Sequence, residues 1–253
     1  MKAALFQFSP EFENKENNII RLKELLDSKL TDEDLVIFPE MTLTGYTMNT
    51  SGFSEELDGT GISFFISEAR KRRKHFFAGI IEKDENKFYN SLYHIDRQGL
   101  IAAVYRKIHP FSFAGEEKYF SSANEPVITK ADNLQIGLSI CYDLRFPELF
   151  RFYGKDKCDL IINIANWPVQ RIEHWKLLSR ARSVENLCYY AGVNRCGTDP
   201  YNQYSGNSIV FDPRGKELLL ADDSENVFSV EIETENILQT RKKYPFLQDI
   251  KLI

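Results

Sequence analysis

The sequence predicts an α/β protein built on mixed β-sheets. About ten short apolar runs have strand character, which is enough for two sheets, and four segments between them have helical periodicity. Strand and helix alternate early in the chain, and two turns with Asp, Gly and Arg, at 96–99 and 212–215, then join strand-like runs into hairpins. In such a chain the helices should cover the outer faces of the sheets.

Each element is predicted from its own pattern of apolar residues. The strands are expected at 3–8, 35–38, 76–81, 90–95, 100–105, 135–140, 160–164, 189–193, 208–211 and 227–232. The helices are expected at 17–30, 62–74, 147–154 and 172–186. Pro147 suits the first turn of the third helix, because its missing N–H is not needed there.

Length and charge exclude several classes of protein. The 253 residues are 43% hydrophobic and 27% charged without a linker-like tract, so we expect one domain over residues 1–253. A net charge of −5 argues against a nucleic-acid partner. No run approaches the roughly 20 apolar residues of a membrane span, and the N-terminal apolar run is too short for a secretory signal. We therefore expect a cytoplasmic protein that does not bind membranes.

Cysteine and histidine spacing gives no support for a metal or a bound cofactor. The four cysteines, Cys141, Cys158, Cys188 and Cys196, form no C-x-x-C pair, and the histidines form no H-E-x-x-H motif. The sequence also lacks a G-x-S-x-G elbow and a G-x-G-x-x-G loop. We predict no metal site and no cofactor, and we expect three of the cysteines to lie in the core.

Cys141 is the exception among the cysteines. It ends the alternating run QIGLSI and enters a short polar turn before the helix predicted at 147–154. Backbone N–H groups of such a turn and the helix N-terminus would favour a thiolate. The alternative is a buried structural cysteine, which is the usual fate of this residue type.

Two other reactive side chains also follow apolar runs directly. Glu40 follows DLVIFP, and Lys107 follows LIAAVYR. In open α/β sheets such positions meet beyond the carboxyl ends of the strands. Together with Cys141 they suit one reaction, in which a carboxylate takes the thiol proton and an ammonium stabilises the oxyanion formed by attack on a carbonyl carbon. Taken singly, Glu40 could cap a helix or form a salt bridge, and Lys107 could be solvated.

The local sequences FPEMTLTGY, YRKIHPF and CYDLRFPELFR, in this order, resemble the nitrilase superfamily of carbon–nitrogen hydrolases. Further segments, including NIANW, SRARSVEN and AGVNR, extend the resemblance over essentially the whole chain. The run ANWPVQRIEHWKLLSRARSVEN and the ending RKKYPFLQD are most similar to bacterial omega-amidases, which hydrolyse the terminal amide of 2-oxoglutaramate and related dicarboxylate monoamides. The resemblance implies a four-layer αββα sandwich, usually paired into a homodimer, and a cofactor-free amidase.

The same resemblance implies roles for particular residues. Glu40 would be the general base, Lys107 the oxyanion stabiliser and Cys141 the nucleophile, with the backbone N–H of Tyr142 completing the oxyanion site. A second glutamate of the family falls in FSFAGEEKYF, where we choose Glu116 over Glu117.

Three further residues are candidates for the substrate pocket. Asn166 and Trp167 follow a predicted strand and are expected to form a pocket wall, and the alternative for Trp167 is an ordinary core tryptophan. Arg145 could bind a substrate carboxylate or brace the turn through Asp143 or Glu148, and its presence in the family with different substrates favours bracing.

The sequence leaves alternatives open for the function. The leading hypothesis is an omega-amidase that works through a thioester. The same residues could instead serve a deaminated-glutathione amidase, an N-carbamoyl amidohydrolase or a nitrilase. A protein that keeps the fold but only binds small molecules is the alternative from another class.

Overall fold

The computed structural model describes residues 1–252 and contains two six-stranded sheets and one two-stranded ribbon. In this part of the chain the strands are β1 Lys2–Gln7, β2 Leu35–Ile37, β3 His75–Asp84, β4 Lys87–Ile95, β5 Ile101–Arg106, β6 Ile128–Ala131, β7 Leu134–Ile140, β8 Leu160–Ala165, β9 Tyr189–Asn194, β10 Cys196–Thr198, β11 Gln203–Ser205, β12 Ile209–Phe211, β13 Glu217–Leu220 and β14 Asn226–Glu231.

Both large sheets are mixed. The first has the order β14-β1-β2-β3-β4-β5, with β2 parallel to β1 and β3 and with antiparallel pairs elsewhere. The second has the order β13-β12-β9-β8-β7-β6, in which β7, β8 and β9 are parallel. The carboxyl ends of these three parallel strands therefore lie at one edge, where ligand sites of α/β sheets form.

The helices are α1 Lys15–Lys29, α2 Thr50–Phe53, α3 Thr60–Arg72, α4 Pro147–Lys155, α5 Ile172–Asn186 and α6 Thr234–Lys243. Apolar residues of α1 and α3, such as Leu22 and Phe65, pack with Phe6 and Phe76 of the first sheet. Residues of α4 and α5 belong to the large core cluster that also contains inward-facing residues of both sheets. The layers thus run helix, sheet, sheet, helix, and the predicted four-layer αββα sandwich is confirmed.

Strand alternation explains how the two sheets share one core. In β1, Ala4 and Phe6 face α1 and α3, whereas Ala3 and Leu5 face the second sheet. Both sets are fully or almost fully buried, so the first sheet is apolar on both faces. No helix within residues 1–252 is long and apolar enough to cross a membrane.

The structure agrees with all four predicted helices and with both predicted hairpin turns. The amide of Gly99 donates to Asp96 O at 2.9 Å, and that of Gly215 donates to Asp212 O at 2.9 Å. The sequence analysis missed β6, β10, β11, β13, α2 and α6. These elements are short or largely exposed, so they lack the periodic apolar face on which the prediction depends.

Candidate active site

Glu40, Lys107 and Cys141 come from three different strand ends. Glu40 lies three residues after β2, Lys107 directly follows β5, and Cys141 directly follows β7. The structure brings Glu40 and Lys107 into direct contact, and Lys107 and Cys141 line the same pocket. The predicted convergence of these strand ends is therefore observed.

Lys107 lies between two buried carboxylates. Its Nζ is 3.0 Å from Glu40 Oε1 and 2.9 Å from Glu116 Oε2. All three side chains are at most 2% exposed. Glu117 is exposed, so Glu116 is the glutamate of this loop that reaches the site.

Burial alone would favour a neutral Lys107. The charges of Glu116 and Glu40 outweigh this effect and hold the pKa of the Lys107 ammonium well above its usual range. The lysine therefore remains a cation at neutral pH, which is the form that stabilises a developing oxyanion.

Neutral donors complete the bonding of both carboxylates. Asn166 donates its backbone N–H to Glu40 Oε2 at 2.8 Å, and its side-chain amide to the same oxygen at 3.2 Å. Glu116 Oε2 accepts the backbone N–H of Phe111 at 2.6 Å and the hydroxyl of Tyr46 at 3.2 Å. Such bonds to charged acceptors fix the carboxylates in position.

Cys141 occupies a strained position at the elbow. Its φ of 45° lies in the left-handed region, which a non-glycine residue rarely adopts, and its amide donates to Asn163 Oδ1 at 3.1 Å. Burial and the charge of Glu40 raise the pKa of the Cys141 thiol well above its ordinary value. This direction favours a neutral Cys141 thiol in the resting site, rather than the thiolate that the turn and the helix N-terminus were expected to favour.

Asp143 holds the elbow against the loop after β5. Its Oδ2 accepts the N–H of Ile140 at 2.9 Å and the hydroxyl of Tyr105 at 2.7 Å. Its Oδ1 accepts the backbone N–H of His109 at 3.0 Å and lies 2.8 Å from Nδ1 of that histidine. The bracing role expected of Arg145 thus belongs to Asp143 and its partners.

The pocket beside Cys141 has a volume of about 180 Å³. The predicted residues Tyr142, Arg145, Asn166 and Trp167 all line it. Arg171 lines it as well, and sequence analysis did not anticipate Tyr46, Phe111, Phe113 and Tyr204, which complete much of the wall.

Arg145 faces this pocket rather than a bracing carboxylate. Its guanidinium carbon lies 4.9 Å from the ring centroid of Trp167, and its Nη2 is 3.3 Å from Nδ1 of His174. Among residues 1–252 no carboxylate lies within 4.0 Å of it, so the expected pairing with Asp143 or Glu148 is wrong.

Two other arginines of this region differ in their access to the pocket. Arg171 lines the pocket and lies over the ring of Phe111 at 5.3 Å. Arg195 is fully buried, donates to three backbone carbonyls and packs on Tyr204 at 4.3 Å. Arg195 is therefore a structural residue behind the pocket wall.

Asn194 holds Trp167 in the wall by pairing with its backbone. Its Oδ1 accepts the Trp167 N–H at 2.7 Å, and its Nδ2 donates to the Trp167 carbonyl at 3.0 Å. The indole N–H donates to Arg171 O at 2.8 Å. Sequence analysis did not identify Asn194, although a buried amide at the end of an apolar strand is a recognisable signal.

The described residues offer no other reactive centre of this kind. Within residues 1–252 no three His, Cys, Asp or Glu side chains form a group that could hold a metal ion. Cys158, Cys188 and Cys196 are buried, and burial raises their thiol pKa values. They are core residues, as expected.

Comparison with known proteins agrees with this geometry. The sequence matches the family model for carbon–nitrogen hydrolases over residues 2–242. The chain is 30% identical to the 2-oxoglutaramate amidase of Bacillus subtilis, over 97% of this chain and 95% of that protein. It is also 30% identical to the omega-amidase YafV of Escherichia coli K12, over 87% and 85% of the two chains.

A solved structure gives the same result for the fold. A superfamily member from Xanthomonas campestris, solved with an arsenic adduct in its active site, superposes with a TM-score of 0.95 at 28% identity. The superposition covers 100% of this chain and 98% of the other. The chain belongs to the carbon–nitrogen hydrolases of the nitrilase superfamily, and it is a hydrolase of the amidase type that acts on carbon–nitrogen bonds other than peptide bonds.

Proposed function

We propose that this hydrolase is an omega-amidase that converts the terminal amide of a small dicarboxylate monoamide, such as 2-oxoglutaramate, to a carboxylate and ammonia. The observation that carries the proposal is the contact of Lys107 with two buried glutamates beside a cysteine in a small pocket. Relatives named 2-oxoglutaramate amidase and omega-amidase support the same substrate class.

The first half-reaction would form a thioester on Cys141. Glu40 accepts the thiol proton while sulfur bonds to the amide carbon, and the carbonyl electrons move onto oxygen. The ammonium of Lys107 and the backbone N–H of Tyr142 stabilise this oxyanion. When the intermediate collapses, the carbon–nitrogen bond breaks, and the nitrogen leaves as ammonia with the proton from Glu40.

The second half-reaction would hydrolyse the thioester. Glu40 takes a proton from a water molecule, and the hydroxide attacks the acyl carbon beside the same oxyanion donors. The sulfur leaves from carbon and regains its proton from Glu40. Glu116 bonds Lys107 through this cycle and keeps the ammonium directed at the oxyanion position.

Arg145 and Arg171 support a substrate with a carboxylate at its far end. Both line the pocket, and neither has a carboxylate within 4.0 Å among residues 1–252. A guanidinium in such a wall binds a carboxylate through paired hydrogen bonds. A pocket of about 180 Å³ also suits a short acyl chain better than a long one.

Pairing of two copies is part of this proposal. The outer helices α4 and α5 expose large apolar side chains, with Phe152 42%, Leu177 68% and Val184 46% accessible. A second copy would bury this surface. Light scattering coupled to size-exclusion chromatography should then give twice the mass of one chain.

An ammonia-release panel tests the proposed substrate. It compares 2-oxoglutaramate, succinamate, glutamine, deaminated glutathione, an N-carbamoyl amino acid and a simple nitrile. We expect the first two to give the highest kcat/KM. Faster turnover of another member would replace the substrate but keep the chemistry, and no turnover of any member would favour a protein that only binds small molecules.

A further inference from the structure

We propose that Asn90 is a positioning residue that holds the two active-site glutamates, Glu40 and Glu116, in place around Lys107. Asn90 lies in β4, and it is 1% exposed. This inference rests on the proposed function, because it concerns the residues through which the amidase would work.

A single side-chain nitrogen of Asn90 bonds both carboxylates. Asn90 Nδ2 donates to Glu40 Oε1 at 2.7 Å and to Glu116 Oε1 at 3.0 Å. The nitrogen of a primary amide carries two hydrogens, so each carboxylate receives one.

The backbone of Asn90 also contacts Lys107. Its carbonyl accepts the backbone N–H of Lys107 at 2.8 Å. One residue therefore bonds both glutamates through its side chain and the lysine through its backbone.

The electrostatics explain why such a residue is needed. Two carboxylates share one ammonium at 0–2% exposure, so this cluster has a net charge of −1 in a region of low dielectric. Like charges at this separation repel each other, and N–H donors shared between the two carboxylates offset part of that repulsion. A protonated Glu40 could not accept the proton of Cys141.

The carbonyl oxygen of the Asn90 side chain makes no hydrogen bond to any described residue in this arrangement. Asn90 Oδ1 is buried and has no hydrogen-bond partner within residues 1–252. An orphaned buried acceptor is unfavourable for folding, so its presence points to a demand for the donor end of the same group.

Four other titratable groups within residues 1–252 also face Glu40 and Glu116, and the test must leave these groups unchanged. They are Lys107 after β5, Cys141 after β7, Tyr46 in the loop after β2, and Tyr204 in β11. None of them is altered by a change at Asn90, so a shift in the pH profile would report on the two glutamates.

The test compares Asn90→Leu and Asn90→Ser with Ser91→Ala. Asn90→Leu keeps the branched shape of the side chain but removes both N–H donors and adds no titratable group, and Asn90→Ser shortens the side chain and leaves a single O–H donor. Ser91 is the adjacent buried residue of β4, and its hydroxyl donates to Glu82 at 2.6 Å instead. The measurement is kcat/KM for succinamate against pH, whose acidic limb reports the essential base of the free enzyme.

We expect the acidic limb to move up by about one pH unit or more in both Asn90 variants, because the loss of N–H donors leaves the like-charge repulsion between the glutamates less opposed. Ser91→Ala should match the wild type. Thermal melts give the folded fraction of each variant. Profiles that superpose on the wild type after correction for that fraction would overturn the inference, and the smaller Asn90→Ser variant provides the measurement if Asn90→Leu does not fold.

A separate measurement distinguishes failure of the proposed amidase function from failure of the inference about Asn90. Iodoacetamide followed by mass spectrometry identifies the reactive cysteine of the wild type without turnover. If Cys141 is not alkylated in preference to Cys158, the proposed chemistry fails, and the role of Asn90 fails with it. If Cys141 reacts and succinamate is hydrolysed, an unshifted pH profile counts against Asn90 alone.

Discussion

Gly79 of β3 lies directly against the backbone of Glu40. A Cβ atom on Gly79 would be 2.8 Å from Glu40 Cα and 2.6 Å from the amide nitrogen of Met41, which is closer than real Cβ contacts. The obstructing atoms are backbone, so the segment that carries Glu40 would have to shift. The absence of a side chain at Gly79 thus sets where the proposed base lies.

Gly79→Ala should therefore reduce activity more than stability alone explains. We expect overpacking to lower the free energy of unfolding by about 1–3 kcal/mol, and displacement of Glu40 to lower kcat/KM by about 100-fold. Ala78→Gly, at the next buried position of β3, is the control, because Ala78 packs toward α1 and α3. Urea unfolding and kcat/KM should be measured on both. A fully active Gly79→Ala variant would show that the contact does not set the position of Glu40.

Cys141→Ala should abolish turnover and leave the fold intact. The change removes the only atom that can form the thioester, and it deletes little volume from a half-buried position. Cys158→Ala, in the core, should keep near wild-type catalysis. Mass spectrometry during turnover should detect an acyl adduct on Cys141, and undiminished activity of Cys141→Ala would refute the assignment of the nucleophile.

Glu40→Gln and Lys107→Met should each slow the reaction strongly. Proton transfer is typically worth about 10²–10⁴-fold and an oxyanion donor about 10²–10³-fold. Rapid-quench kinetics should show slower acylation and slower deacylation without Glu40. EDTA should leave every variant unchanged, and inhibition by EDTA that added zinc restores would contradict the mechanism.

A buried histidine pair predicts how stability depends on pH. His94 Nε2 lies 3.0 Å from His75 Nδ1, and His94 Nδ1 lies 2.7 Å from Thr129 Oγ1. Burial, with a smaller contribution from His75, lowers the pKa of His94 to about 3. Below about pH 6.5 the unfolded chain therefore binds a proton that the folded chain does not, and stability falls as the pH falls.

The slope from His94 should approach about 1.4 kcal/mol per pH unit between pH 6 and pH 4.5. Urea unfolding of the wild type and of His94→Gln at pH 7.5, 6.5, 5.5 and 4.5 measures it. The variant should be less stable at pH 7.5 because it loses packing, but its stability should decline less with acid. Parallel curves for the two proteins would rule out His94 as the source.

The sequence allowed prediction that Glu40, Lys107 and Cys141 would converge. Each of them directly follows an apolar run, and the carboxyl ends of strands meet in this class of fold. Asn90 could not be identified in this way, because it lies inside a strand and its value depends on which side chains the other strands bring to it. The orientation of the Arg145 side chain toward the pocket could not be predicted either, because it depends on the exact backbone path of the five-residue 3₁₀ turn Cys141–Arg145.

Fold prediction had a similar limit. The long hairpin of β3 and β4 extends beyond its apolar runs, to Asp84 and from Lys87, because backbone pairing continues where side chains are already exposed. Helix α6 buries only Ile237 and Thr240, too little apolar surface for a periodic signal. Tertiary contacts, rather than local pattern, define these segments.

The substrate preference should depend on the two arginines of the pocket. We expect succinamate to be preferred over butyramide, because its far carboxylate can bind Arg145 or Arg171 beside the aromatic rings of Trp167 and Phe111. A hydrogen-bonded charged contact is worth about 1.5–3 kcal/mol, which corresponds to about 10- to 150-fold in kcat/KM.

Arg145→Gln and Arg171→Gln separate the two candidates, since glutamine keeps a donor and much of the volume but has no charge. The variant that removes the carboxylate contact should lose about 10- to 150-fold in kcat/KM for succinamate and little for butyramide. The buried Arg195 offers no useful control, because its substitution would leave three backbone carbonyls without their hydrogen-bond donor. Arg214, 57% exposed on the turn between β12 and β13, is the matched surface control. Equal kcat/KM values for succinamate and butyramide in the wild type would reject the dicarboxylate monoamide as substrate, while the amidase chemistry would stand.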